Sequence, residues 1–241
     1  MTCTRSANGL CLLLIGMSLT MGGCASITGT PGPSAEAPVH RVGDRWVYRV
    51  QDRVPPRFDA WEETHTIATV SPQTITLRVT AKGASVDVDR TETWSIAGTV
   101  VEGAVFDVET RRFDPPLLRL RFPLTGGDRW NQRMKAPATS DSPYGALQRS
   151  VTVGGYERVT TPAGTFDAIR IAIFMRLDDE TFWRWPTQCT YVAWYAPDVG
   201  ATVREEKYAY YSEKGGQNGG GRLVSQQTTV ELLSFAPARA R

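Results

Sequence analysis

The sequence has 241 residues, with 27 Lys or Arg against 25 Asp or Glu and a formal net charge of +2. Acidic and basic residues are interspersed, so no strongly basic face of the kind that binds nucleic acid is indicated. After the amino-terminal region, about 200 residues remain, enough for one domain with a substantial core.

The first residues are typical of an export signal. Arg5 precedes an apolar run at residues 9–19, which is shorter than the roughly 20 apolar residues that a membrane-spanning helix needs. Residues 1–23 are therefore predicted to be a signal peptide that is removed.

The end of this run resembles the bacterial lipobox. It reads Met21-Gly22-Gly23-Cys24, with Met21 where leucine is more usual. The resemblance implies a lipoprotein, cut before Cys24 and carrying acyl chains such as palmitate that anchor it firmly in a membrane. Ala25 in place of aspartate implies, by similarity to enterobacterial lipoproteins, the outer membrane facing the periplasm. An ordinary secretory signal is the alternative.

The next residues are predicted to form a tether. Residues 24–40 are rich in Pro, Gly, Ser, Thr and Ala, a composition typical of flexible linkers. A β-rich domain is expected over 41–236 and a short tail over 237–241. If Cys3 and Cys11 leave with the signal and Cys24 is lipidated, the only remaining cysteine is Cys189. No intramolecular disulfide is then expected, and Cys189 is predicted to be a small buried residue.

Alternation with a period of two runs through the rest of the chain. Ile75, Leu77 and Val79 alternate with polar residues, and residues 169–177 form a longer apolar face. This period predicts strands, and no convincing window of eleven or more residues has helical spacing. We expect a mainly β fold with little helix: one curved antiparallel sheet forming a half-barrel, an incompletely closed barrel or a sandwich.

One turn sequence, GDxW, occurs twice. It places Gly43, Asp44 and Trp46 before one predicted strand, and Gly127, Asp128 and Trp130 before another. Glycine permits a tight turn, aspartate binds nearby backbone and tryptophan buries a large area, so a structural role is expected. A site that pairs the two aspartates is the functional alternative. The match is too short to establish a duplicated domain.

Two further motifs predict tight turns. They are TPAGTFDA from Thr161 and WYAPxVG from Trp194, and their expected turn and core residues are Gly164, Phe166, Pro197 and Gly200. Together with GDxW, these motifs are similar to uncharacterised bacterial envelope proteins, the TapB-like and DUF3108-like proteins, over residues 42–207. The resemblance implies a curved antiparallel sheet and brings no catalytic residues.

No motif for chemistry is found in the sequence. His40 and His65 have no partner at metal-ligand spacing, and there is no nucleophile elbow or phosphate loop. We therefore expect no enzyme, no cofactor and no metal, although a hydrolase with a sugar-binding groove is kept as an alternative.

Several charged groups are predicted to lie on wet surfaces. They are the pairs Glu62-Glu63 and Glu205-Glu206, the arginines Arg111, Arg112, Arg119 and Arg121, and the acidic triplet Asp178-Asp179-Glu180. The triplet could instead hold calcium weakly.

Two binding functions fit this sequence. The first is a membrane-anchored lipoprotein that holds an apolar small molecule or lipid in the concave sheet. The second is a scaffold or assembly subunit that docks an envelope partner through Phe182, Trp183 and Trp185. Packing of these aromatic residues in the core or at a strand end is the structural alternative.

Overall fold

The computed structural model of the chain describes residues 29–54, 58–105, 108–138, 144–215 and 221–238. The predicted signal peptide and Cys24 lie outside these ranges. Within them, no helix has the length and hydrophobicity to span a membrane.

The described residues form one antiparallel sheet of twelve strands in chain order, and β1 pairs with both β2 and β12. The mainly β prediction is confirmed, but the half-barrel form is wrong because the sheet closes on itself. The strands are β1 (Arg45–Asp52), β2 (Asp59–Val70), β3 (Ile75–Gly83), β4 (Asp87–Ile96), β5 (Thr99–Gly103), β6 (Arg111–Leu118), β7 (Arg129–Lys135), β8 (Ala146–Thr161), β9 (Gly164–Asp178), β10 (Thr187–Ala196), β11 (Ala201–Ser212) and β12 (Arg222–Ala236).

The predicted apolar faces point into the barrel. Ile169, Ile171 and Ile173 on β9 are all buried, because alternate side chains of a strand lie on one face of the sheet. The expected hairpin also forms, with Ile169 opposite Tyr195 and Ile173 opposite Tyr191 on β10. Cys189 is buried, as predicted.

The alternating strand directions place the loops at two ends of the barrel. We call the end that carries the β1–β2, β3–β4, β5–β6, β7–β8, β9–β10 and β11–β12 loops the upper end. The lower end carries the other loops and residues 29–44, which precede β1.

Residues 29–40 differ from the flexible tether that their composition predicts. The amide of Thr30 donates to the carbonyl of Tyr156 at 2.9 Å, and that of Ala35 donates to Leu124 at 2.9 Å. Ala35 is buried in the main core, and a side chain on Gly32 would collide with the ring of Tyr156. This segment is therefore packed along the lower end.

The barrel has a weak seam between β6 and β7. Only Asp114 and Lys135 pair across it among the described residues of the two strands. Pro115 and Pro116 interrupt β6, and proline has no amide hydrogen to donate to a ladder. The backbone bonds that close the rest of the sheet are largely missing here.

Side chains of β7 and β8 hold this seam together. Gln132 accepts a hydrogen bond from the amide of Leu118 at 2.8 Å. Arg149 donates to the carbonyls of Leu118 and Arg119 at 2.9 and 3.0 Å, and Trp130 also donates to Leu118. Arg149 is 1% exposed, so a fully buried guanidinium replaces part of the missing ladder.

Candidate functional site

The barrel encloses a cavity of about 580 Å³, within the range of small-molecule pockets. The cavity has an aromatic floor towards the lower end, a ring of charged side chains above it and a polar mouth at the upper end. The floor includes His40, Trp46, Trp94, Phe122 and Tyr195, and the mouth includes Asp52, Asp59, Asp179 and Arg184.

The aromatic floor is closed by edge-to-face contacts. The ring of His40 lies 5.8 Å from that of Trp46 and 5.7 Å from that of Trp94, centroid to centroid. Phe122 and Tyr195 make a similar contact at 5.5 Å. Burial lowers the pKa of His40, against an opposing effect of Asp44, so His40 is neutral at pH 7.

Seven charged or titratable side chains line the middle of the cavity, and we call them the ionic belt. They are Glu63, His65, Arg90, Glu92, Arg119, Glu205 and Lys207.

Two carboxylates of the belt correct the surface prediction for the glutamate pairs. Glu63 lines the cavity whereas Glu62 is exposed, and Glu205 lines it whereas Glu206 is exposed. Glu63 shares a strand face with the cavity-lining Trp61, but polar residues occur on both faces of β2, so the alternation alone did not reveal which glutamate lies inside.

Glu92 is the most deeply buried member of the belt, with 1% exposure. Its carboxylate accepts from the amide of Ala104 at 3.2 Å and from the indole of Trp94 at 3.4 Å. It also lies 3.3 Å from Arg90 and 3.8 Å from Arg119. Gly103 leaves room for it, since a Cβ there would lie 2.9 Å from the carboxyl carbon of Glu92.

Glu63 and His65 form a close pair on β2, with 2.5 Å between Oε1 and Nε2. Burial acts to raise the pKa of Glu63, but the hydrogen bond from His65 and the charges of His65, Arg90 and Lys207 outweigh it and lower the pKa to about 2. Glu63 is therefore ionised throughout the physiological range.

Glu205 and Lys207 form a second pair, 3.0 Å apart on β11. Burial acts to lower the pKa of Lys207, but Glu205 more than reverses this, and the pKa is raised above its usual value. Lys207 is therefore charged.

Two of the four clustered arginines are not on a wet surface, contrary to the prediction. Arg119 belongs to the belt, and Arg111 is 4% exposed with Glu109 and Asp179 at 2.6 and 2.9 Å. Asp179 also lies 3.4 Å from Arg184. The acidic triplet therefore contributes ion pairs at the mouth rather than only a solvated turn.

The predicted GDxW turns open β1 and β7, six strands apart in the barrel. Trp46 and Trp130 are each 7% exposed, as expected for residues that bury a large area. The two aspartates lie on opposite sides of the barrel, so the structure does not bring them together in one site.

The other two motifs also form turns. Gly164 and Gly200 have φ values of +139° and +68°, a region that favours glycine. The amide of Gly200 donates to the carbonyls of Ala196 and Pro197. Phe166 is half-buried and packs against the smaller core cluster.

The predicted aromatic contact residues are exposed in the β9–β10 loop at the upper end. The exposed fractions are 88% for Phe182, 41% for Trp183 and 57% for Trp185. Backbone hydrogen bonds from Trp185 to Ser212 and from Lys214 to Trp183 hold the loop against the β11–β12 loop. Packing in the core is therefore wrong for these residues, while Trp183 does pack near a strand end, with its ring centroid 5.6 Å from that of Tyr211 on β11. We call residues 182–185 the aromatic loop.

The described residues contain no group of three or more His, Cys, Asp or Glu side chains placed to hold a metal ion.

A family model described as DUF3108-like matches residues 131–220. The matched stretch begins in β7 and contains both the TPAGTFDA and WYAPxVG motifs. The predicted resemblance to DUF3108-like proteins is therefore confirmed over that stretch, while both GDxW turns precede it.

Two solved structures are similar to this chain. One is a Bacteroides fragilis protein considered to be exported and to have a YmcC-like fold, and the other is a Parabacteroides distasonis protein considered a lipoprotein. Each is 13% identical, with a TM-score of 0.49, over 85% of this chain and 100% of the other. None of the curated proteins matches the sequence.

Proposed function

We propose that the protein is a lipid-anchored, non-enzymatic binding protein of the bacterial cell envelope that holds a small amphiphilic molecule inside its barrel. The observation that carries this proposal is the cavity of about 580 Å³, in which an aromatic floor lies below an ionic belt. A wholly apolar ligand would desolvate the belt without pairing its charges, which is costly. An amphiphile fits both regions.

The proposed anchor sets the orientation of the barrel. Cys24 is six residues before Thr30, which is hydrogen-bonded at the lower end. Because an extended chain spans at most about 3.6 Å per residue, the lipid would lie within about 22 Å of that contact. The lower end would then face the anchoring membrane, which we propose is the outer membrane, and the upper end would face the periplasm.

The anchor can be tested separately from the ligand. Labelled palmitate should be incorporated into the protein in growing cells and should be absent from Cys24→Ser. A chain with no label, produced in a bacterium that labels its own lipoproteins, would contradict the anchor.

The ligand can be tested by extraction from the full chain. The protein would be isolated from membranes in an amphipathic polymer, without detergent, and extracted with organic solvent for mass spectrometry. Val230 lines the cavity, so Val230→Trp should fill it and deplete the bound molecule. Gln227→Trp, on the exposed face of the same strand, is the matched control and should retain it. Equal extracts from all three proteins would contradict the proposal.

The exposure of the aromatic loop favours a second candidate function, docking of an envelope partner at the upper end. Phe182 is 88% exposed and Trp185 is 57% exposed, and large exposed aromatic residues are common anchors of protein interfaces. In this orientation they point away from the anchoring membrane. Phe182→Ala with Trp185→Ala should abolish the capture of a crosslinked envelope protein in cells and leave the melting temperature unchanged. Unchanged crosslinks would exclude the loop as a docking site.

A further inference from the structure

We infer that the polar group of the bound amphiphile is an anion, a carboxylate or a phosphate, held by Arg90 and Arg119 of the ionic belt. This inference rests on the proposed function, since it names the head group of the ligand proposed for the same cavity.

Arg90 has hydrogen-bond donors that no group of the described residues accepts. Its side chain is 11% exposed, and its Nη2 lies 3.3 Å from Glu92 and 3.9 Å from Glu63. Its Nε and Nη1 are buried and have no hydrogen-bond partner. Buried donors are nearly always paired, and leaving them unpaired on a charged group is expensive. An acceptor from a ligand in the adjoining cavity would pair them after a small side-chain shift.

Arg119 shares the counter-ion of Arg90, the carboxylate of Glu92. Arg119 is 24% exposed, lies 3.8 Å from Glu92 and donates to the carbonyl of Ala104 at 3.2 Å. Two guanidinium groups thus converge on the single carboxylate of Glu92. The carboxylate of Glu92 is itself held by hydrogen bonds from Ala104 and Trp94. Glu92 therefore acts as a positioning residue for both arginines.

The carboxylates of the belt are shared unevenly among its basic side chains. Glu63 is held by His65 at 2.5 Å and Glu205 by Lys207 at 3.0 Å. Arg90 and Arg119 instead share Glu92 as their nearest carboxylate, at 3.3 and 3.8 Å, and only Arg90 reaches a second one, Glu63, at 3.9 Å. Paired guanidinium groups are well suited to carboxylate and phosphate oxygens.

The position of the two arginines also determines where the hydrocarbon part of the ligand would lie. The guanidinium of Arg119 lies over the ring of Trp94, 5.7 Å from its centroid, and Trp94 belongs to the aromatic floor. An anion bound by the two arginines would therefore have its hydrocarbon part next to the floor, where the burial of apolar surface is favourable.

The test compares three soluble eight-carbon probes that differ in the head group: octanoate, octyl phosphate and octanol. Binding to the full chain would be followed by tryptophan fluorescence, because Trp46 and Trp94 line the cavity. Since hydrogen bonds to charged groups contribute about 1.5–3 kcal/mol, an acidic probe should bind about 10- to 100-fold more tightly than octanol. The tighter of the two acids would identify the head group as carboxylate or phosphate.

The variants assign the preference to the arginine pair. Arg119→Met should reduce the affinity for the acidic probe to that for octanol, and Arg119→Lys should restore part of the difference. Arg78→Met, on the outer face and bonded to Asp89, is the matched control and should behave as the wild type. Unchanged octanol binding reports that the cavity is intact in each variant.

Two results would overturn the inference, and they are distinguishable from failure of the proposed function. Equal binding of octanol and both acids by the wild type would exclude an anionic head group while leaving the cavity as a binding site. A preference for the acid that persists undiminished in Arg119→Met would exclude the arginine pair. If the wild type bound none of the three probes, the proposed function itself would fail.

Discussion

The turns that open β1 and β7 have the same backbone but different surroundings. In both, the glycine has a positive φ, +96° at Gly43 and +95° at Gly127. Each glycine amide donates across to a carbonyl at 2.9 Å, of Ile67 in one turn and of Val153 in the other. The same sequence therefore produces the same local hydrogen bonds in both places.

The two aspartates of these turns differ in what they bind. Asp44 is 8% exposed, and its carboxylate accepts hydrogen bonds from the amides of Arg41 at 2.7 Å and Ala238 at 2.8 Å. It thereby joins the segments before β1 and after β12. The carboxylate of Asp128 is 33% exposed and lies 3.5 Å from Arg121. A short motif thus determines a turn, while its neighbours decide how much the aspartate stabilises the fold.

The two halves of the barrel, which begin at these turns, differ in the charged and apolar residues that they bury. Strands β1 to β6 carry four belt residues, Glu63, His65, Arg90 and Glu92, whereas strands β7 to β12 carry only Glu205 and Lys207 of the belt and supply most of the larger apolar core. The buried guanidinium of Arg149 lies on β8, in the half that supplies most of the apolar core. Four changes test these differences between the two turns and between the two halves of the barrel.

The largest effect is expected from Arg149→Ala, which removes the guanidinium that closes the β6–β7 seam. Two backbone carbonyls would lose charged donors and a cavity would remain, so we expect a loss of about 4 kcal/mol in unfolding free energy. Denaturant unfolding of the full chain measures it, with the exposed Arg129→Ala on β7 as the control. A loss equal to that of Arg129→Ala would show that the seam does not depend on Arg149.

The next largest effect is expected at low pH, where Glu63 on β2 should lose its contribution to the unfolding free energy. The pKa of Glu63 is about 2 in the folded protein, below the usual 4.5 of a glutamate side chain. Its stabilising contribution is therefore complete above pH 4.5 and is lost as the pH falls towards 2, by roughly 3 kcal/mol at about 1.4 kcal/mol per unit. Unfolding curves from pH 5 to 2 should show this loss in the wild type and a smaller one in Glu63→Gln. Parallel curves would contradict it.

Substituting the aspartates of the two turns should cause clearly different losses of unfolding free energy. Asp44→Ala leaves two amides without their carboxylate partner and should cost about 2 kcal/mol. Asp128→Ala removes a partly exposed ion pair and should cost no more than about 0.5 kcal/mol. The difference between the two midpoints in urea is the quantity to measure. Equal costs would mean that the shared backbone, and not the surroundings, sets the stability of the turn.

The smallest effect concerns the space reserved for Glu92. Gly103→Ala would place a methyl group 2.9 Å from its carboxyl carbon, so the side chain must shift, at a cost of about 1 kcal/mol. Gly221→Ala meets nothing within 4 Å and is the control. Because the shift moves the anchor of Arg90 and Arg119, Gly103→Ala should also weaken octanoate binding, and an unaltered affinity would count against a positioning role for Glu92.

Much of the fold could be predicted because it depends on neighbouring residues. The alternation at Ile169, Ile171 and Ile173 predicts a strand with one buried face, and Gly43 and Gly127 predict turns, since both properties depend on a few adjacent positions. The pairing of β9 with β10 also follows, because a short connection favours antiparallel neighbours.

The candidate site could be predicted less well, because its residues come from strands far apart in the chain. Both faces of β2 contain polar residues, with Glu62 on one and Glu63 on the other, so alternation alone cannot decide which glutamate lies inside. Arg119 follows β6 and meets Glu92 of β4 only because the sheet curves. The exposure of Phe182 likewise depends on what packs around its loop, and composition does not specify this.

The amino-acid sequence was sufficient to predict an antiparallel β domain, its turns and the candidate lipid-attachment residue Cys24. The tertiary structure alone decided that β1 pairs with β12, with Trp46 opposite Phe235, and that charged residues of the strands therefore surround a cavity. The physical reason is that local sequence specifies a strand and its two faces. Closure brings together residues almost the whole domain apart, and only closure makes one of those faces an interior.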